Sequence, residues 1–474
     1  MRKRLSAFAA ILAFASPWAL ENPASAQPRP GTPVAAAPAA TPTLPTVRYK
    51  LQNGLDVVFH EDHRVPIVSV NVFYHVGSKD EPQGKNGFAH LFEHLMFQGS
   101  KHVAEDKFFD TLERAGSTDV NGTTNEDRTN YFETVPSNRL ELALWLESDR
   151  MGYLLSHVDQ ATFESQRSVV KNERRQNYEN APYGLVSQFI HEAMYPVSHP
   201  YHRLTIGTPE DLDRATLDDV RNFFQTWYVP NNASLVIAGD IDKDKALGLV
   251  KKYFEPIPSR PLPARYKVPP VDIEKKELQI AASVELARVY AVWPTPALYA
   301  EGDADLDLAA HVLSSGKGSR LYKKLVHDLQ WAQDVSAHQS SSQLGGSFWI
   351  NATVRDPSKA REVLAVIDAE VAKLAQEGAT EDELARAKTS TLSSFTFGLE
   401  KMTSRANTLN GYMHYTNNPD FLSEDIGRYQ KATRATVQKV TTSYLASAKR
   451  VVAFVNPDKQ APLAGKVVSI GGAR

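Results

Sequence analysis

His90-Leu91-Phe92-Glu93-His94 decides how this 474-residue chain is read. The order H-x-x-E-H is the inverse of the commoner H-E-x-x-H zinc-binding pattern. On a helix that turns about 100° per residue, His94 lies about 40° from His90, and Glu93 lies about 60° away on the other side. The three side chains therefore fit in an arc of roughly 100°. Two imidazoles are good zinc ligands, and a neighbouring carboxylate can take a proton from an activated water. The flanks favour a helix here: Asn86-Gly87 can start it, Phe88, Leu91, Phe92, Leu95 and Met96 give it an apolar face, and Gly99 can end it. Against this stands a plainer reading, in which two histidines on a helix are polar packing.

Outward from that stretch, Leu51–His60 carries a strand–turn–strand pattern around Asn53-Gly54, and Val65–Val76 alternates as a strand does. Lys107–Ala115 reads as a helix closed by Gly116. Asn121 to Tyr131 is polar, with an ordinary Asn/Thr-rich turn as the plain alternative, and runs into an alternating stretch at Tyr131–Val135. Leu140–Leu155 is a periodic helix. A longer helix capped by Asp159 or Thr162 is expected to run to about Asn180 and stop at Pro182. Leu235–Asp240 has the pattern of a short buried strand.

Six prolines between 255 and 273 suggest a linker, which divides the chain into a first domain at 47–254, a linker at 255–274 and a second domain at 275–474. The second domain again starts with a strand-like stretch, Ala287–Val292, and a helix-like one, Leu306–Ser314. Setting Ala310-His311 against Glu93-His94 places Asp307 where His90 stands. If the halves are repeats, the second has lost a ligand and the base. Gly316-Lys317-Gly318-Ser319 lacks the spacing of a phosphate-binding loop and reads as a turn.

At the N-terminus, Arg2-Lys3-Arg4, a mostly apolar run to Leu20 and Ala24-Ser25-Ala26 form the pattern of a secretory signal over 1–26. Residues 27–46 are rich in Pro, Ala and Thr and read as a flexible tether. With no cysteine, the exported chain is expected to carry neither disulfides nor a lipid anchor, and a bacterial periplasm is the simplest destination. A formal net charge of −2 gives no electrostatic case for binding nucleic acid or an anionic membrane.

Four stretches together resemble the pitrilysin (M16) family of zinc peptidases. They are Gly87–Ser100; Asn121–Tyr131, which fits the family's N-A-x-T-x-x-D-x-T-x-Y with Gly122 for Ala; Val169–Arg175; and Ile206-Gly207-Thr208 through Trp227–Ala233 to Asp240. The chain is similar to the half-length bacterial members, which are like the subunits of the mitochondrial processing peptidase. The resemblance implies an α+β fold of two similar domains, each a mainly antiparallel sheet packed with helices, together forming half of a clamshell. It implies one zinc per chain, held by His90, His94 and Glu173, with Glu93 as the base. A His₂Glu set is independently an accepted catalytic zinc site. It also implies that Asn121, Gly122 and Thr124 lie on an edge strand and loop where a peptide substrate adds as an extra strand.

Two departures from the family pattern stand out. Many members have a second Glu seven residues before the ligand Glu, where this chain has Gln166, so altered zinc affinity or rate is expected. Full-length relatives also carry an Arg and a Tyr seven apart in the inactive half, where this chain has Val326 and Gln333. The chain is accordingly expected to cleave peptides or unfolded segments in a dimer. The partner would be an M16-like chain lacking H-x-x-E-H and supplying Arg and Tyr, or a second copy. The rival reading is a non-catalytic peptide-binding or assembly subunit of the same fold.

Overall fold

A computed structural model describes residues 42–472 except Tyr266. The signal segment 1–26 and the tether up to residue 41 lie outside the described residues. No helix of the described residues is long and apolar enough to cross a membrane.

Two six-stranded sheets organise the chain. The first contains β1 (Val47–Lys50), β2 (Asp56–Glu61), β3 (Ile67–Tyr74), β4 (Thr118–Thr124), β5 (Thr129–Pro136) and β6 (Ala233–Gly239), in the order β1-β2-β6-β3-β5-β4. The second contains β7 (Lys276–Ala282), β8 (Ala287–Thr295), β9 (Ala332–Ser342), β10 (Gly345–Val354), β11 (Val451–Pro457) and β12 (Lys466–Gly472), in the order β12-β7-β11-β8-β10-β9. Each sheet is antiparallel except at one matching place, β2 with β6 and β7 with β11. From β2 to β6 and from β7 to β11 the two halves follow one plan. They differ at the far edge, filled by the first strand in one sheet and by the last in the other. The fold is thus α+β with two similar domains.

Six helices build the metal-site face and join the two halves: α1 (Phe88–Leu95), α2 (Gln160–Arg174), α3 (Val186–Met194), α4 (Asp303–Ser314), α5 (Glu381–Gly398) and α6 (Met402–Thr416). The expected cap of α2 forms, with the Asp159 carboxylate accepting the backbone N–H of Thr162 at 2.8 Å. Its expected course to Asn180 changes character after Arg174, where one wider π turn covers Arg175–Glu179. Such turns cluster at functional sites, and this one directly follows Glu173.

The central strands are apolar on both faces; β6 is buried along its whole length. Both faces must then be covered, and the chain covers them by exchange. Ala406, Leu409 and Met413 of α6, from the second half, pack on Val58, Val236 and Ala238 of the first sheet. Val186, Ile190 and Met194 of α3, from the first half, pack on Leu278, Ile280, Val292 and Val451 of the second. Asn410 fixes the first of these contacts. Its amide donates to Asn71 O and Oδ1 at 2.9 and 2.8 Å, and its carbonyl accepts the Ser234 hydroxyl at 2.5 Å. Apart from residue 266, no helix or strand forms between Phe254 and Lys276, so this proline-rich stretch joins two halves that are already interlocked.

Candidate active site

Helix α1 starts on Gly87, whose φ of 99° is left-handed, and no side chain of its own caps it. The open N–H groups go instead to a buried carboxylate from upstream: Glu81 accepts from Gly87 N at 3.0 Å and from Ala89 N at 2.8 Å. Burial pushes the Glu81 carboxyl up to about 8, against the pull of those two N–H groups. The apolar face of α1 is fully buried at Leu91, Phe92 and Leu95, so the polar face is turned outward to α2 and β4.

On that face His90, His94 and Glu173 converge. Their ligand atoms all lie within 4.8 Å of one another. Glu173 Oε2 is 3.3 Å from His94 Nε2 and 3.6 Å from His90 Nε2. Zinc bonds of about 2.1 Å in a tetrahedron separate ligand atoms by roughly 3.4 Å, close to the two distances from Glu173, so the donor set suits a zinc ion. No other cluster of this kind occurs among the described residues. Burial lowers the His90 pKa. Burial opposes the charged form of His94 as well, but the Glu173 carboxylate outweighs it and leaves that pKa raised. Glu173 is correspondingly lowered: burial works against its charge, and the His94 hydrogen bond overcomes burial.

Glu93 points elsewhere, as its angle around the helix requires. Its Oε2 accepts the Thr124 hydroxyl at 2.7 Å. Gly122 lies two residues earlier on the same face of β4. A Cβ there would meet Glu93 Cγ at 3.0 Å, Phe97 Cε2 at 3.1 Å and Tyr131 Cδ1 at 3.2 Å. The glycine that stands for the family's alanine therefore leaves room for the Glu93 side chain. Strand β4 is the outermost in its sheet, paired only with β5 among the described residues, so its other edge is open to a further strand. Asn121 is exposed on the opposite face of β4 from Gly122 and Thr124. Gln166 is buried on α2, two turns before Glu173. Val326 is half-buried against the second core and Gln333 is exposed on β9. Glu81 escaped the sequence reading. Its only trace there is an acid six residues ahead of the helix-starting glycine.

In the second half, α4 lies against β9 as α1 lies against β4. It brings Asp307, Ala310 and His311 to a cavity of about 330 Å³ whose α5 wall offers Thr391 and Ser394.

The chain is similar to known proteins in both its sequence and its fold. Residues 56–207 match the model of the insulinase (peptidase M16) family, and residues 214–391 match that of the peptidase M16 inactive domain. Zinc protease PqqE of Helicobacter pylori is 29% identical over 416 residues, covering 86% of this chain and 92% of that protein. A zinc protease of Bacillus subtilis, YmxG, is 25% identical over 358 residues, covering 76% and 85%. Among solved structures, a protease from Helicobacter pylori superposes with a TM-score of 0.82 at 28% identity, covering 88% of this chain and 100% of that one. The first half of the periplasmic protease PqqL from Escherichia coli shares the fold, with a TM-score of 0.72 at 20% identity. Two family models in tandem and a fold shared over 88% of the chain place it in peptidase family M16.

Proposed function

We propose that this chain is a zinc-dependent metalloendopeptidase subunit that cleaves peptides or unfolded segments. The observation that carries the reading is the convergence of His90, His94 and Glu173, ligand atoms within 4.8 Å of one another, beside a separately held Glu93. Zinc in that site supplies Lewis acidity toward the scissile carbonyl and lowers the pKa of a water. His90, His94 and Glu173 hold and orient it. Glu93 accepts the proton of the attacking water and delivers it to the leaving amine nitrogen, and Thr124 keeps its carboxylate aimed at the cleft. The open edge of β4 receives the peptide as an added strand, so that backbone hydrogen bonds bind it with little regard to sequence.

The working enzyme is proposed to be a dimer with an M16-like chain that contributes the Arg and Tyr missing at Val326 and Gln333. A periplasmic site of action fits the signal pattern at 1–26 and the periplasmic relative in Escherichia coli. Zinc analysis together with cleavage of an unfolded peptide tests the reading. About one zinc per chain is expected, lost with activity in His94→Ala. A chain whose zinc content is unchanged by His94→Ala refutes the site, and one that holds zinc there yet cleaves nothing with any M16-like partner is a binding subunit instead.

A further inference from the structure

Strand β4 is the outermost of its sheet, and its pairing with β5 is irregular between Thr118 and Asn121. Yet its last residue, Thr124, makes the 2.7 Å hydrogen bond to Glu93. A strand paired on one side only, through an interrupted ladder, shifts at its tip unless something else holds it.

The tip is stiff within itself. Across the β4–β5 turn Asn125 N donates to Arg128 O at 3.0 Å, and Asn125 Oδ1 accepts from Asp127 N and Arg128 N, both at 2.9 Å. Arg128 reaches back to Thr123, donating to its O at 2.7 Å and to its Oγ1 at 2.6 Å. Thr123 to Arg128 therefore move as one piece, and a hold on any of them is a hold on Thr124.

The first half grips this piece by its backbone. Ser78 N and Lys79 N donate to Asn125 O and Glu126 O at 3.2 and 3.0 Å. The second half grips it by one side chain, Asp127, which is buried. Asp127 Oδ2 accepts Gln343 N at 2.7 Å, and Oδ1 accepts the Tyr201 hydroxyl at 2.7 Å. The Tyr201 oxygen in turn accepts Leu344 N at 3.0 Å. Gln343 and Leu344 are the turn between β9 and β10, so the second sheet reaches the carboxylate twice, once directly and once through Tyr201. Lys79 Nζ lies 3.6 Å from the same Oδ1. Hydrogen bonds to an ionised acceptor are the strong kind, and burial leaves them no competing water. Further along the hairpin the ties to the second half are neutral: Asn130 Nδ2 donates to Asn407 Oδ1 at 3.3 Å, and the Thr134 and Thr403 hydroxyls are 2.8 Å apart.

We propose that Asp127 is a positioning residue: through it the second half, which has no metal-binding cluster of its own among the described residues, holds the β4–β5 turn and so keeps Thr124 against Glu93. The proposal rests on the peptidase reading above and deepens it, giving the second half a part in the chemistry of the first.

Two variants of the full chain test it. Gln343→Pro deletes the N–H that Asp127 accepts; Gln343 has no left-handed φ and follows an extended residue, so proline suits its place in the turn. Asp127→Asn keeps the shape and leaves one acceptor oxygen where two are used. Each should lower kcat on an unfolded peptide by on the order of tenfold, with KM changed by less than about threefold and zinc still at about one per chain. In a Thr124→Val background the same substitutions should cost less than about twofold, because the hydroxyl they aim is gone. Hydrogen exchange of the Thr123–Thr129 amides should be roughly tenfold faster in Gln343→Pro than in the wild-type chain. Full activity in both variants overturns the proposal and leaves the peptidase reading standing. Losses that multiply with Thr124→Val overturn it as well, since Asp127 then acts through some other group. A loss confined to Asp127→Asn overturns the part given to the second half. A wild-type chain that cleaves nothing removes the peptidase reading; faster exchange in Gln343→Pro then keeps the hold on the turn, and unchanged exchange overturns that too.

Discussion

Helices α1 and α4 hold matching places against matching sheets, yet one presents a candidate metal site and, among the described residues, the other does not. Helix α1 offers His90, Glu93 and His94, and α2 adds Glu173. Helix α4 offers Asp307, Ala310 and His311, and α5 adds only the hydroxyls of Thr391 and Ser394. Both helices start on a left-handed glycine, Gly87 at φ 99° and Gly302 at φ 91°. Both pack buried leucines toward their sheets. The scaffold is therefore shared, and the halves differ in the four side chains of the candidate site. What the second half keeps is a different polar arrangement: Asp307 accepts the Tyr429 hydroxyl at 2.7 Å, and burial pushes its carboxyl up to about 7.

The largest contrast is expected at the base. Glu93→Gln keeps the shape of the side chain and removes its ability to take a proton. Turnover should fall by on the order of 10³ or more, while zinc content by elemental analysis stays at about one per chain. Retained turnover removes Glu93 from the mechanism, and lost zinc makes it a ligand.

A smaller effect is expected from the cap that only the first half has. Glu81→Ala strips two N–H groups at the start of α1 of their acceptor. Chemical denaturation should show a loss of about 3 kcal/mol, and zinc affinity should fall roughly tenfold as the helix carrying both histidines loosens. If denaturation midpoint and zinc affinity both stay at the wild-type values, Glu81 has no part in positioning the site.

Next in size is the carboxylate at 307. Its folded pKa, about 7, lies above the ordinary Asp value near 3.9, so the folded chain holds a proton that the unfolded chain has released. Stability therefore drains away as pH rises from about 4 to 7. Asp307→Asn removes the dependence. Melting followed from pH 4 to pH 8 should show equal stabilities at the acid end and an advantage to Asp307→Asn of a few kcal/mol at the other. Parallel curves mean that Asp307 is charged at neutral pH.

Periodicity made the arc of His90, Glu93 and His94 legible, because spacing on one helix is a local property. Glu173 became legible only through family resemblance: 79 residues separate it from His94, and no local rule links them. Glu81, and the pairing of Thr124 with Glu93, were illegible for the same physical reason, since each acts across a tertiary contact; Thr124 was legible only as part of a substrate-binding edge. The exchange of α3 and α6 between the sheets was hidden in another way. An amphipathic pattern tells that a helix buries one face, but not which sheet receives it. The doubly buried β6 signalled that some element must cover its second face, and nothing in its own residues pointed far down the chain to Asn410.

The smallest expected effect is also the sharpest test of the division between halves. His311 matches His94 in place, and a histidine retained where the other site residues changed raises the question of a second, weaker metal site. Its surroundings argue otherwise. A zinc site needs three protein ligands or more, and His311 has one carboxylate within reach on its helix, already bonded to Tyr429. The other polar groups lining that cavity are hydroxyls, the Gln339 amide and a second imidazole, His338, and among the described residues these do not gather with His311 and Asp307 into a metal-binding cluster. Burial lowers the His311 pKa, so a neutral ring rests there without a counter-ion. His311→Ala should therefore leave about one zinc per chain and change kcat/KM by less than about twofold, a surface-like substitution remote from the reacting groups. Zinc titration of His94→Ala decides the matter. With His311 intact and the first site broken, the chain should bind no zinc at micromolar concentration. Tight binding there would give the second half a metal site of its own.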